Sequence, residues 1–437
     1  MNIKSIKIEN LFEIFHYDIS FHKEDNILLI TGPNGFGKTM ILNTIFCLFK
    51  QPLSFFKKLV FDKITVELDK DIKIVIVKKV VKDKFEIIYS FFEMNRKTGE
   101  DIEIYEFEYS TKIEIELIKH INKQIPFLHA SGDEWTNYID NKKLSIDDVL
   151  TEYQESFFND KTVQKFFKSK LNKVSRIFKG IDVHFIQEQR LFVYNTELDD
   201  EDGSQESVTI EAVQSNANEL KDFILENIQK SFNQTQALDS TYLDRLIDEK
   251  SKISEHDYVS RLSALNKIQE KLIAFGLYEN RQKIRDYSKD DAKALLVYVN
   301  DLEQKLLVFD DLLQKLELFT TILNERRFTF KSINISKTKG FYFKTSTGKE
   351  LELNQLSSGE QHEVVLLYEL IFNVKSNVLV LIDEPEISLH VTWQKEFLND
   401  LLKIVKIQNI QVIVATHSPS IINGRWDLVY NLETPKK

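Results

Sequence analysis

The sequence predicts an α/β fold. A mixed β-sheet carries a phosphate-binding loop, an antiparallel β subdomain lies beside it, and helical or short coiled-coil insertions interrupt both. Three observations lead there. The run GPNGFGKT at 32–39 follows an apolar, strand-length segment at 26–31 and opens a segment with helical spacing. A second apolar run, 378–382, ends on the pair Asp383-Glu384. A third, 410–415, ends on Thr416-His417. Short, unbroken apolar runs of this kind are how strands read when a parallel sheet is covered on both faces.

In the first segment, 1–110, Ile3, Ile6 and Ile8 alternate with polar residues as one strand, and 17–21 is a second. Met40, Ile41, Thr44, Ile45 and Leu48 recur at helical spacing just after the phosphate loop. From residue 61 the period becomes two, in Ile64-Val66-Leu68, Ile72-Ile74-Ile76 and Ile102-Ile104, which predicts an antiparallel hairpin set. Residues 111–180 read as a helical insertion. It holds Lys161, Lys165, Lys168, Lys170, Lys173, Arg176 and Lys179 in a window with no acidic residue. Val163, Phe166, Phe167, Leu171, Val174 and Phe178 fall on the other face of the same helix. Two readings stand: a core-packed amphipathic helix with a solvated charged face, or a contact surface for nucleic acid or an acidic partner.

A short strand at 182–186 ends in Gln187, within a segment bounded at 181–195. An acidic stretch, 199–206, predicts an exposed loop. The segment 196–325 then predicts an arm of two or more long antiparallel helices. Its apolar stripes are Leu220, Phe223, Ile224 and Ile228, and Leu302, Leu306, Leu307, Leu313 and Leu316. The arm has no CxxC pair and so no thiol-based metal hook. The last segment, 326–437, returns to strands at 328–335, 340–344 and 350–353. After them come the run LSSGEQ at 356–361, a helix from Glu360 to about Asn373, the acidic pair and the histidine.

The bulk numbers agree. At 437 residues the chain can bury a large core, and 42% hydrophobic with 29% charged residues is ordinary for a globular protein. A single cysteine, Cys47, excludes an internal disulfide and a cysteine-rich zinc site. No apolar run approaches the roughly 20 residues of a membrane span, so no membrane partner and a cytoplasmic location are expected. The net charge of −10 argues against a generally basic, nucleic-acid-coating surface, but not against a local basic patch.

The motifs divide one chemistry among them. Asn34, Gly35 and Gly37 lie in a loop whose backbone N–H groups can wrap a β-phosphate at a helix N-terminus. Lys38 is placed to reach the β- and γ-phosphates of ATP, and Thr39 to hold Mg²⁺. Asp383, at a strand end, is placed to bind that Mg²⁺ through water, and Glu384 to polarise the attacking water. His417 can hydrogen-bond the γ-phosphate. Ser357 and Gly359 open a further helix N-terminus suited to an anion. One chain already supplies a full phosphate cradle, so this second terminus is expected to cap the γ-phosphate held by another copy.

The order phosphate loop, LSSGEQ, IDEP, THS resembles that of the ABC-type P-loop ATPase heads, and within them the SMC, RecF and OLD-like branch rather than transporter subunits. The run DEPEISLH at 383–390, with Trp393-Gln394 after it, is similar to bacterial OLD-type ATPases, including ATPase subunits of the PARIS and Septu anti-phage systems. The resemblance covers roughly 1–110, 180–195 and 326–430, and not the helical insertions. It implies Walker A roles for Lys38 and Thr39 and Walker B roles for Asp383 and Glu384. It further implies signature roles for Ser357 and Gly359, a D-loop position for Ser388 and a switch histidine at His417. Gln187 resembles the Q-loop glutamine that senses Mg²⁺ and water. Ser358 and Glu360 depart from the transporter signature, as is usual in the SMC-like branch. An adenine-stacking aromatic is implied in the N-terminal strands, with Phe12, Phe15 and Tyr17 as candidates.

Two functions follow as expectations. In the first, the chain is the ATPase and sensor or scaffold subunit of an anti-phage system. It would form a homodimer of heads or a higher oligomer, hold a separate effector protein, expected to be a nuclease, and answer to DNA or a phage protein. In the second, it is a RecF- or SMC-like DNA repair or recombination clamp acting on DNA directly.

Overall fold

In the computed structural model, the described residues are 2–104 and 205–433, apart from 22–24, 51–54, 57–58, 82–83, 95, 99–100, 279–284, 327, 329 and 388. Between these spans, 128–131, 134–137, 142–145, 149, 182–187 and 192–198 are described. The chain divides into two compact units, one of residues 1–189, 194–209 and 374–437, the other of 190–193 and 210–373.

The first unit is built on a five-stranded sheet in the order Asp182–Ile186, Val378–Asp383, Gln411–Ala415, Ile27–Thr31, Val429–Asn431. Every pairing in it is parallel. Val378–Asp383 and Gln411–Ala415 are buried at every position, which is why their sequences show no polar alternation. The helix Lys38–Lys50 packs on this sheet through Ile41, Leu42, Ile45 and Leu48, all buried.

A second, antiparallel sheet runs Phe15–Ser20, Ile3–Leu11, Lys63–Leu68, Ile72–Val81, Lys84–Glu93, and the last of these also pairs with Arg96–Lys97 and Ile102–Ile104. Ile64, Val66, Leu68, Ile74 and Ile76 form its buried face, as the period of two requires. Gln411 joins the two sheets. Its Oε1 accepts the Ile3 N–H at 2.9 Å, and its Nε2 donates to the Ile3 carbonyl at 2.8 Å. Parallel and antiparallel pairings with helical insertions are the predicted fold class, here with the two kinds of pairing in separate sheets.

The insertion 111–180 differs from its helical expectation where it is described. Leu128–Ser131, Glu134–Asn137 and Lys142–Ser145 form a three-stranded antiparallel sheet with Trp135 buried. Strands of four residues are too short to display a period. The signal that marks them is the Gly132-Asp133 pair between two short runs. The basic segment 161–179 lies outside the described residues, as does Ser388. Phe192–Leu198 and Gln205–Glu211, flanking the acidic stretch, pair as a two-stranded ribbon.

The second unit holds the helices Ala212–Ser240, Tyr242–Asp248, Glu255–Ala274, Ala292–Leu307 and Asp310–Arg326. Among the described residues this segment holds five helices, the longest of them Ala212–Ser240 at 29 residues. Ser254 caps one joint by accepting the Asp257 N–H. Arg245 and Arg261 tie helices together through Asp301 and Glu303. Leu220, Ile224, Leu302, Leu306, Leu313 and Leu316 are buried as predicted, whereas Leu307 is 71% exposed. Leu307, about 100° around the helix from the buried Leu306, falls on the solvent side.

The strands Lys331–Ser336, Gly340–Thr345 and Glu350–Leu351 complete this unit. Gly340 has φ +71°, and a Cβ there would overlap the Ala217 carbonyl in the helix Ala212–Ser240. Gly340→Ala is expected to destabilise the chain by about 3 kcal/mol, read as a fall in the urea midpoint with the slope unchanged.

Candidate active site

The parallel sheet delivers four strand ends to one edge. Its registers set Ile186 beside Ile382, Asp383 beside Ala415, and Ala415 beside Ile30. Gln187, Asp383-Glu384, Thr416-His417 and the loop from Gly32 therefore all leave the sheet at its C-terminal edge, where open α/β sheets bind ligands.

The loop at 32–37 turns through left-handed backbone at Gly35 and Gly37, with φ of +85° and +81°, and passes directly into the helix Lys38–Lys50. Asn34 and Gly35 are exposed at its tip, and Thr39 is exposed in the first helical turn. The loop is braced from the antiparallel sheet. The Tyr17 hydroxyl donates to the Phe36 carbonyl at 2.8 Å. Phe15 stacks on Tyr17 at 5.6 Å and lies 5.4 Å from Phe36. Burial, with a smaller contribution from Tyr430, pushes the Tyr17 hydroxyl pKa up to about 12. Tyr17 is thus fully engaged beneath the loop, while Phe12 and Phe15 keep partly exposed rings.

Lys38 is the centre of the site. Its side chain is buried, and its Nζ donates to the Gly32 carbonyl at 3.2 Å. The same Nζ lies against the His417 ring, contacting Nε2 and standing 3.4 Å from Nδ1. His417 Nε2 is in turn 3.4 Å from Glu384 Oε1. Burial draws the Lys38 ammonium below the ordinary lysine range, and Glu384, Asp383 and Glu386 push it back up.

Glu384 itself adopts φ +43°, a left-handed conformation that costs a non-glycine residue about 1 kcal/mol or more. Its N–H donates to the Ala415 carbonyl at 2.9 Å, and its carbonyl accepts the Ile387 N–H at 3.1 Å. These bonds hold the tight turn that presents its carboxylate beside His417. Asp383 is buried at the strand end.

Among the described residues no group of three or more His, Cys, Asp or Glu side chains is placed to hold a metal alone. The donor set instead fits Mg²⁺, which takes one or two protein oxygens and completes its shell with water and substrate phosphate. An exposed threonine, Thr39, and a buried strand-end carboxylate, Asp383, are residues of the type such a shell would use.

Ser357 and Gly359 belong to the second unit. Ser357 caps the helix Ser358–Tyr368 in a reciprocal capping box with Glu360. The Glu360 carboxylate accepts the Ser357 N–H at 2.8 Å and its hydroxyl at 3.0 Å, and pairs with Lys331 at 2.8 Å. Burial would raise the Glu360 carboxyl, but Lys331 and the Ser357 bonds outweigh it and hold the group below its usual range. Ser357 and Ser358 are exposed at this helix N-terminus.

A family model described as an AAA ATPase domain matches residues 1–422. The chain belongs to that family. The ATPase domain is also similar to solved SMC heads. One is the Smc head domain with an extended coiled coil bound to the C-terminal domain of ScpA, derived from Pyrococcus furiosus. It shares 12% identity at a TM-score of 0.37, over 96% of this chain and 90% of that one. Another is the SMC head domain from Thermotoga maritima, at 11% identity and a TM-score of 0.33, over 99% and 94% of the two chains. Both scores are low, and the family rests on the match over 1–422. Among the described residues of this ATPase domain, no helix is long and apolar enough to cross a membrane.

Three contacts, two in the first unit and one in the second, were not legible in advance. Tyr17 braces the loop, Lys331 pairs with Glu360, and Glu386 bonds the backbone of the His417 loop. Only Glu386 had a local signal, its place two residues after Glu384 in one strand-end run.

Proposed function

We propose that the chain binds and hydrolyses ATP at sites formed between two copies, and that the closing and parting of these copies acts on DNA in the manner of a repair or recombination clamp. The observation that carries the ATPase part is the contact of His417 with Lys38 on one side and Glu384 on the other, at the C-terminal edge of a parallel sheet. In this reading Asn34, Gly35 and Gly37 cradle the phosphates through their backbone, and Lys38 binds the β- and γ-phosphates. Thr39 and Asp383 hold Mg²⁺, with Gln187 at the same edge as a further ligand through water. The bound ion neutralises charge that develops on the phosphate oxygens. Glu384 orients and deprotonates the attacking water, and His417 donates to the γ-phosphate. Ser357 and Gly359 of the second copy close over the same γ-phosphate with their helix N-terminus.

The clamp reading is supported by the basic window 161–179. A second reading, the sensor or scaffold subunit of an anti-phage system controlling a separate nuclease effector, is favoured by the similarity of 383–394 to OLD-type ATPases. ATP-dependent retention on DNA separates them. The triple variant Lys165→Glu, Lys168→Glu, Arg176→Glu is expected to weaken DNA binding at least about 10-fold at fixed salt while ATP turnover persists. DNA binding that is absent in the wild type, or unchanged in the triple variant, removes the clamp acting through this segment.

A further inference from the structure

The loop after the acidic pair and the loop carrying His417 are tied together by two side chains that none of the roles above uses. Glu386 Oε1 accepts the backbone N–H of His417 at 2.6 Å and of Ser418 at 3.1 Å. Its other oxygen, Oε2, is buried and makes no hydrogen bond among the described residues. Gln394, in the first turn of the helix Val391–Gln408, donates from Nε2 to the carbonyls of Glu386 at 3.3 Å and Leu389 at 3.0 Å. Gln394 Oε1 accepts the Ser418 hydroxyl at 2.7 Å.

These bonds have a geometric consequence. The Glu384 carboxylate is presented by one loop and the His417 ring by the other, and the two must meet over Lys38. The sheet pins the first loop through the Glu384 N–H to Ala415. The second loop begins one residue beyond the sheet, where Thr416 N–H still bonds the Ile30 carbonyl. The His417 N–H runs to the Glu386 carboxylate, and the Ser418 N–H is shared between that carboxylate and Thr416 Oγ1 at 3.0 Å. One oxygen accepting two successive N–H groups fixes the backbone at His417 and Ser418, and displacement of a reacting group by about 1 Å can cost 10²-fold in rate.

We propose that Glu386 is a positioning residue for the ATPase site, seating His417 in register with Glu384 and Lys38, with Gln394 locking the two loops into one piece. This rests on the ATP-hydrolysing reading above. Both of its hydrogen bonds are accepted by an oxygen, so the function requires an acceptor and not a negative charge or a removable proton.

The test is steady-state ATP turnover by the full chain with Mg²⁺, alongside equilibrium ATP binding. Glu386→Ala is expected to lower kcat by about 10- to 100-fold, the usual effect of losing a residue that orients a site group, with KM and ATP affinity within about 3-fold of wild type. Glu386→Gln keeps an amide oxygen for both N–H groups and is expected to stay within about 3-fold of wild type in kcat. Full turnover by Glu386→Ala overturns the proposal. Equal loss in Glu386→Gln and Glu386→Ala also overturns it, because charge would then be what matters. If Glu386→Ala does not fold, Gln394→Ala decides: a lowered kcat at unchanged KM supports the proposal, and unchanged turnover overturns it. A wild type that binds ATP without turning it over defeats the hydrolysing reading itself, a result distinct from either pattern among the variants.

Discussion

Glu384→Gln is expected to lower ATP turnover by about 10²- to 10⁴-fold, the range that a positioned general base contributes, with nucleotide binding preserved. The reason lies in what an amide can do at this place. The Glu384 backbone is held by its own N–H to Ala415 and its carbonyl to Ile387, so the substituted side chain stays beside His417. An amide oxygen can still accept a hydrogen bond from water but cannot take its proton. ATP would then bind and persist, and two copies closed over it would accumulate. Size-exclusion chromatography with ATP against ADP checks this. Normal hydrolysis by the variant would remove Glu384 from the mechanism.

Lys38→Ala is expected to abolish tight ATP binding. The Lys38 ammonium is buried among Glu384, Asp383 and Glu386. Its removal takes away the cation that meets the phosphates and also leaves these acidic groups facing them. Truncating one partner of a buried charge pair costs about 2–5 kcal/mol, which raises the ATP Kd by about 30- to 5000-fold. Calorimetric titration reads this directly. Retained affinity would mean that the phosphates are held elsewhere.

How much of this was legible depends on the range of the signal. The parallel strands at 27–31, 378–383 and 411–415 announce themselves, because burial on both faces leaves no polar position to break the run. The antiparallel sheet is equally plain in Ile64, Val66 and Leu68, where apolar residues alternate with Thr65 and Glu67. The motif residues were nameable because phosphate binding needs particular side chains at fixed spacings along one loop.

What escaped notice depends on contacts distant in sequence. Glu386 is 31 residues from the backbone it anchors; its place two residues after Glu384 marks it as near the acidic pair but does not name its partner. The Lys331 partner of Glu360 is 29 residues away in another element. Tyr17 looked like a ring for stacking because a strand tyrosine is locally the same whether it is exposed or, as here, spent beneath a loop. The sheet at 128–145 failed for a different reason, since four-residue strands are shorter than the window over which a period can be recognised. Leu307 was misplaced by composition, because its neighbour Leu306 satisfies the stripe alone.

The central claim is that one chain's Lys38 and another chain's Ser357 serve the same nucleotide. It is tested most directly by ATP turnover in a mixture of two inactive variants, Lys38→Ala and Ser357→Arg. In a two-fold symmetric dimer, a mixed pair contains one site with both halves intact and one with both broken, so an equimolar mixture is expected to recover about a quarter of wild-type turnover. Turnover at the level of the separate variants, at every mixing ratio that forms mixed pairs, would contradict a site shared between two copies.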